Sequence, residues 1–403
     1  MLTQYAKSMS TYLDHNAGSP LRPEAKAAIA RLLDEEGANP ASVHRAGQSA
    51  RRALEAARAQ VAALIGAEPR HLIFTSGGTE SNNLAVFGSL KALPSRPRIV
   101  SSSIEHSSIL APLTDLESRE VKVVKVAPDR EGRLPHDEIV ASIDSDTALA
   151  TIALANSEVG TIQEVTAIAD AASRAGAIFH LDAAQAVGRI PVDVATLRCD
   201  LMTLSGHKLG APAGIGALYV RDPSALTPIL LGGPQESGFR AGTPNLLGAV
   251  AFGAAAEAVA AHFHDEALRI STLANELLAE LFDAIPGLRL NAPLRDRLPN
   301  TLNLTFPGVL GESMLIALDL EGIHVSMGSA CAAGAVEPSH VLLAMDLTHG
   351  EARSSLRLSL GWNTTRNDIA RAANIIPRVW RRVSEAEPAT PSTSTRSHLE
   401  ALR

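Results

Sequence analysis

The sequence predicts an α/β protein: a mostly parallel sheet flanked by helices, with a smaller α+β unit after it. Three observations predict this. Between residues 48 and 220, short apolar runs alternate with stretches of helical spacing. Glycines and polar residues gather just after several of those runs. Beyond residue 255 the texture changes to one long helical stretch and then separated strand-like runs. Strands separated by helices of ~10–15 residues form βαβ units and parallel sheets. Ligands of such sheets collect beyond the carboxyl ends of the strands.

In chain order, residues 48–65 put Ala50, Ala53, Leu54, Ala57, Val61 and Leu64 at helical spacing, with arginines opposite. Residues 71–75 read as a buried strand ending at a Gly pair, 79–91 as a helix and 98–101 as a strand. Residues 121–126 form a strand of mixed polarity, closed by a Pro-Asp-Arg-Glu-Gly turn. A strand over 147–155, a helix over 165–175 and strands over 177–182, 200–205 and 215–220 follow. A long helix is expected over 248–285, then strands over 301–306 and 354–361. The implied units are 15–255 (large) and 1–14 with 256–383 (small). The Ser/Thr/Pro-rich tail, 384–403, is expected to be disordered.

Composition removes several function classes. Of 403 residues, 46% are apolar, enough for a large core. The net charge of -7 argues against nucleic acid or an anionic membrane as partner, since both need clustered positive charge. Aromatics at 3% are too few for base-stacking platforms. Cys199 and Cys331 are the only cysteines, so a disulfide scaffold and a thiolate-rich zinc site are excluded and no metal site is expected. The longest apolar run, from Leu246, stops at Glu257, short of the ~18 residues a membrane span needs. With no signal-peptide pattern at the start, the expected location is cytoplasmic.

Three clusters carry chemistry, each after a predicted strand. Thr75-Ser76-Gly77-Gly78-Thr79-Glu80 opens a helix. It reads as a phosphate cradle or, equally, as an ordinary Gly turn with Thr79 or Ser81 as helix cap. His180 and Asp182 share one side of a strand end. A carboxylate there can hold a protonated heterocyclic nitrogen, or simply cap a helix. Ser205-Gly206-His207-Lys208 presents a lysine among small and polar residues, suited to a Schiff base if desolvated.

Together these are the three anchors of pyridoxal 5'-phosphate (PLP), and further stretches extend the match. They include YLDHNAGSP at 12–20, ANPASVHRAG at 38–47, FTSGGTESNNLA at 74–85, EHSSIL at 105–110, NSEVGTIQ at 156–163 and HLDAAQAVGRIPVD at 180–193. SGHKLGAPAGIGALYVR at 205–221, FRAGTPN at 239–245, the 325–345 segment around Cys331 and SSLRLSLG at 354–361 complete the set. The sequence resembles the fold-type I PLP-dependent transferases of the class V aminotransferase group, and within it the NifS/IscS-like cysteine desulfurases. The resemblance implies a large domain on a seven-stranded, mostly parallel sheet and a smaller α+β domain. It implies conversion of L-cysteine to L-alanine, with sulfur passing to an enzyme cysteine as persulfide and on to an acceptor protein such as an iron–sulfur scaffold. Selenocysteine lyases, C–S lyases and aminotransferases on the same fold are the alternatives.

The resemblance also implies roles. Lys208 matches the lysine that carries PLP and serves as base. Asp182 matches the partner of the pyridine nitrogen, Gln185 the donor to the ring hydroxyl, and His106 the catalytic histidine stacked on the ring, a position the resemblance also implies can move protons. Gly78, Thr79, Ser205 and His207 match phosphate binders. Thr243 matches a phosphate contact from a second subunit, implying a homodimer. Asn156 matches a residue near ring and substrate, Asn16 one near the substrate, and Arg357 the clamp on the substrate carboxylate. The alternation of Leu356, Leu358 and Leu360 against Ser355, Arg357 and Ser359 suits that clamp. Cys331, between Ala330 and Ala332 with glycines nearby, matches the nucleophile. Ala332-Ala333, Ser157 and Gly18-Ser19 depart from the family's usual residues without removing a reacting group.

Overall fold

A computed structural model describes residues 10–34, 38–327 and 337–386. The chain begins with β1 (Thr11–Tyr12), α1 (Pro23–Leu33) and α2 (Arg45–Ala63). It continues through β2 (Leu72–Thr75), α3 (Gly78–Ala92), β3 (Arg98–Ser102), α4 (Ser107–Glu117), β4 (Lys122–Val126), α5 (His136–Ser142) and β5 (Thr147–Ala153). Then come α6 (Thr166–Ala175), β6 (Ile178–Asp182), α7 (Val194–Leu197), β7 (Leu201–Ser205), α8 (Gly206–Leu209) and β8 (Gly216–Val220). The long α9 (Leu246–Ala284) leads to β9 (Arg289–Leu290), β10 (Thr301–Thr305), α10 (Gly311–Leu320) and β11 (Ile323–His324). The described chain ends with α11 (His340–Ala344), α12 (His349–Arg353), β12 (Ser355–Ser359) and α13 (Arg366–Ala386).

Seven strands form the main sheet in the order β2-β8-β7-β6-β5-β3-β4. Strand β8 runs antiparallel to β2 and β7, and the other pairings are parallel. Strand side chains alternate between faces, and the two apolar layers divide accordingly. Phe179 and Leu181 join Leu54, Val61 and Phe252 on one face. Ile178, Ile99 and Leu149 join Leu84, Ile109 and Leu113 on the other. Register then places Ala153 beside Asp182 and Asp182 beside Thr203. The strand ends that carry polar residues therefore lie side by side.

A second core gathers Leu13, Ile270, Leu277, Leu302, Leu304, Leu356, Leu358 and Ile376. It packs on the antiparallel sheet β12-β10-β9 and on the parallel pair β1-β11. The alternation expected for β12 is observed: its leucines enter this core, while Arg357 turns to the cavity described below.

Helix α9 connects the two cores. Ala249, Phe252, Ala256 and Val259 belong to the first, and Ile270, Leu273 and Leu277 to the second. The sequence boundary at 255 falls within it. By length and composition this helix could cross a bilayer, which the search for an uninterrupted apolar run did not register. Its apolar residues instead cover α2, and a Cβ at Gly253 would meet the Ala57 Cα at 2.8 Å. Glycine there permits the close approach of the two helices.

The sequence reading passed over α13. Its apolar face, Ile369, Ala372, Ile376, Val379 and Val383, is interleaved with arginines and contains Pro377, which masks the period.

A buried ion pair joins α2 to the loop before α9. Arg58 Nη1 and Nη2 donate to Glu236 at 2.6 and 2.8 Å, and the same carboxylate accepts the Phe74 amide at 2.8 Å. Without Glu236, Arg58 would keep the half-exposed Glu55 carboxylate at 3.1 Å and the Leu72 carbonyl at 2.8 Å, while the Phe74 amide would lose its acceptor. Glu236→Ala is expected to cost ~1–3 kcal/mol of stability, read as a lowered denaturant midpoint. A loss below ~1 kcal/mol would show that the Phe74 amide finds water or another acceptor.

Candidate active site

A cavity of about 420 Å³ opens beyond the carboxyl ends of β5, β6 and β7. It is lined by Asn16, Gly78, Thr79, His106, Asn156, Asp182, Gln185, Ser205, His207, Lys208 and Arg357. Residues predicted from widely separated motifs thus meet in one place. Thr243 is exposed and outside this lining, and Cys331 lies outside the described residues. A larger groove of about 770 Å³ runs past Glu68, His71, Asp200 and Arg221. It lies at the opposite end of the sheet, where parallel strands do not assemble ligand sites.

Lys208 ends the short turn after β7. Its amine donates to the carbonyls of Asn16 and Ala17, the latter at 2.8 Å. Burial, then the Arg189 and Arg357 cations, lower its pKa to about 7, against the opposing pull of Asp14 and Asp182. A large fraction of the amine is therefore neutral and nucleophilic at neutral pH.

Asp182 is buried at the end of β6. It accepts the Ala184 amide at 3.0 Å and the Asn82 amide at 2.7 Å. Its strand neighbour His180 has a different part. Thr151 and Thr203 occupy its two ring nitrogens at 2.8 and 3.0 Å, and burial lowers its pKa to about 4. His180 is a neutral core residue linking β5, β6 and β7.

The Gly pair opens α3. Gly77 adopts φ 155° and ψ 179°, a conformation suited to glycine, and no side chain caps the helix. Ser81 bonds Thr75 at 2.8 Å instead. A helix start leaves its first N–H groups without intrahelical acceptors and favours an anion. Ser205 and His207 stand opposite, bonded to each other at 3.0 Å. Burial, then Lys208, lower the His207 pKa to about 4, so it meets an anion as a neutral donor.

Gln185 donates to the Asn16 carbonyl at 3.0 Å and accepts from Arg189, which fixes its amide orientation. Arg357 is buried; it donates to Asp14 at 2.7 Å and to the Ser157 carbonyl at 3.1 Å. The side chain of Asn156 shapes its own loop, donating to the Ile104 carbonyl at 3.0 Å and accepting from the Glu158 and Val159 amides. The Asn16 side chain bonds Ser157, Thr301 and Asn300, so its carbonyl is what meets Lys208.

Further residues complete the walls and were not singled out from sequence. Asn82, four residues after Gly78, shares its helix face, and that spacing is the signal that could have found it. Glu105 is fully buried beside the cavity, and burial raises its pKa to about 8, so it is mostly protonated at neutral pH. His340, at the start of α11, donates its Nε2–H to the Glu105 carbonyl at 3.1 Å. Ser339 bonds the buried Glu158 carboxylate. No local pattern announces these long-range contacts.

The arrangement can hold a planar nitrogen heterocycle bearing an anionic group. It offers a carboxylate at one end, a helix N-terminus at the other and a neutral amine alongside.

Residues 11–372 match the aminotransferase class-V family. The chain is 41% identical to a cysteine desulfurase of Trichormus azollae, covering 94% of each chain. A solved NifS-like protein shares 30% identity with a TM-score of 0.87, covering 93% of this chain and all of that one. The structure of SspA in complex with cysteine shares 34% identity with a TM-score of 0.78, covering 87% and 99%.

Because Lys208 loses its proton near pH 7, its modification by an amine-directed reagent should rise through a midpoint near that pH, followed by mass spectrometry. Arg357→Met removes a cation and leaves Asp14 unpaired, so the midpoint should move upward. An unmoved or lowered midpoint would remove Arg357 from the control of this amine.

Proposed function

The chain belongs to the aminotransferase class-V family and is a cysteine desulfurase, and from that premise we propose how its residues divide the reaction. PLP is the cofactor. The residues present fit it: a buried carboxylate at a strand end, a lysine amine freed of its proton, and an uncapped helix start converge on one cavity of suitable size. Asp182 would hold the pyridine nitrogen, Gln185 the ring hydroxyl, and Gly78, Thr79, Ser205 and His207 the phosphate. When bound, PLP supplies an electron sink for the pair released at the substrate's α-carbon.

The remaining work falls to the chain. Lys208 provides the attachment amine and then takes the α-proton, which its lowered pKa permits. Arg357 binds the substrate carboxylate. Asp14 and the Ser157 carbonyl hold two of its donors and fix the guanidinium plane. The Cys331 thiolate attacks the cysteine sulfur. An S–S bond forms, the C–S bond breaks, and its electron pair remains with the carbon fragment, which is protonated and leaves as L-alanine. The persulfide passes its outer sulfur to an acceptor protein.

Two features support Cys331. The residues flanking its segment are attached to the cavity wall: Ser326 pairs with Arg357 through both backbone bonds, and Ser339 and His340 bond Glu158 and Glu105. The other cysteine, Cys199, is buried among apolar residues. The homodimer reading takes support from exposed Thr243, in the same irregular segment as exposed Leu230 and Leu231.

The observation that carries this reading is a half-buried lysine with a pKa near 7 in one cavity with a buried strand-end carboxylate. Anaerobic incubation with L-cysteine and a reductant should yield equal alanine and sulfide. Cys331→Ala and Lys208→Ala should each lower turnover by ~100-fold or more. Sustained sulfide release from Cys331→Ala would place the sulfur acceptor elsewhere.

A further inference from the structure

We propose that Asn82 and Ser108 are positioning residues that lock His106 as the neutral tautomer protonated at Nε2 and tie its orientation to Asp182. The inference rests on the desulfurase reading for its catalytic consequence, but the tautomer itself follows from hydrogen-bond directions.

The directions can be assigned one by one. The Asn82 amide nitrogen has two protons. One goes to Asp182 Oδ2 at 2.7 Å and the other to Ser108 Oγ at 2.8 Å. Turning the amide over would set its oxygen against a carboxylate, so this orientation is fixed. Ser108 Oγ therefore accepts from Asn82 and has one proton left to give. His106 Nδ1 lies 2.7 Å away. The same Nδ1 also receives the Ser108 backbone N–H at 3.1 Å, because His106 is the N-cap of α4. A backbone N–H can only donate. A proton on Nδ1 would therefore face an N–H it cannot pair with. The lone pair of Nδ1 is held by two donors, and the single ring proton resides on Nε2.

Charge around the ring points the same way. Its pKa is lowered, first by the enclosing protein and then by Lys208 and His340, while Asp182 and Glu158 pull in the opposite direction. Becoming an imidazolium would also set Nδ1–H against the Ser108 N–H and reverse the bond to the Ser108 hydroxyl.

The consequence is a division of labour. His106 presents Nε2–H to the cavity as a hydrogen-bond donor and has no free lone pair there to take a proton. Proton removal is left to Lys208. The path from Asp182 through Asn82 and Ser108 to His106 also means that the group at the heterocycle's nitrogen and the group beside its ring are set by one continuous network.

The test uses protein labelled with ¹⁵N-histidine, without substrate, the His106 signals being identified by their loss in His106→Gln. In wild type, Nε2 should be protonated and Nδ1 bare across the neutral range. Asn82→Ala removes the donor that orients the Ser108 hydroxyl while the Ser108 N–H still holds Nδ1, so Nε2 should stay protonated and the imidazole pKa should rise. Ser108→Ala removes one donor, so the imidazole pKa should rise. With cysteine, each variant should lose about tenfold in kcat, and Ser108→Thr should restore both the imidazole pKa and the rate. A protonated Nδ1 in wild type, or an unchanged ring in both variants, would overturn the proposal. Should Asn82→Ala not fold, Ser108→Ala and Ser108→Thr carry the same test. Loss of desulfurase activity alone would leave the NMR reading intact, so the two conclusions fail separately.

Discussion

The site depends on holding an amine without a carboxylate bonded to it. Lys208 is gripped by the Asn16 and Ala17 carbonyls, which offer dipoles instead of a full negative charge. A carboxylate in their place would stabilise the ammonium and raise its pKa. Burial and two arginines do the reverse, and the carbonyls oppose them less than a carboxylate would. The segment that supplies them is fixed along its length. Asp14 bonds Arg357, the Asn16 side chain bonds Thr301 and Asn300, and Ser19 donates to the His207 carbonyl at 2.9 Å. It thus touches elements that contribute to both apolar cores, and the lysine's chemistry is tied to their packing.

The same restraint governs the acids. Asp182 and Glu105 both border the cavity, and the Asp182 charge adds to the cost of ionising Glu105. Their partners decide which carries the charge. Asp182 receives the Asn82 and Ala184 N–H groups. Glu105 receives the Ser102 hydroxyl at 2.6 Å, and its second oxygen is buried without a hydrogen-bond partner. Burial and the nearby Asp182 keep the proton on Glu105. The cavity therefore presents one strand-end anion beside a largely neutral carboxylic acid, although two acidic side chains line it.

Much of this was legible in the sequence, for a local reason. Strand ends, glycines and the residues that follow them are adjacent in the chain, so Asp182, Lys208 and the Gly77–Gly78 turn could be read directly. Arg357 was placed by its match to the family's motif, and the alternation along β12 agreed with it. What escaped was set by distant contacts. The antiparallel course of β8 depends on pairing with β2 and β7, not on its own composition. Asn16 belonged to a legible motif, yet its side chain is spent on Thr301 and Asn300, far along the chain, and only its carbonyl serves the lysine. His340 and Glu158 gain their meaning from contacts across more than one element. Helix α13 was hidden by arginines that snorkel beside its apolar face.

With two cysteines, burial of one decides the chemistry of both. Cys199 is fully buried, and burial pushes its thiol up to about 12. A thiol in that state is a small apolar side chain, a poor nucleophile and a poor sulfur acceptor. It packs with Phe179, Met202 and Tyr219 and is part of the fold. The reaction needs a thiolate that reaches the substrate sulfur, and the core has withdrawn the one competing candidate. On the proposed mechanism the sulfur-accepting role would then fall to Cys331.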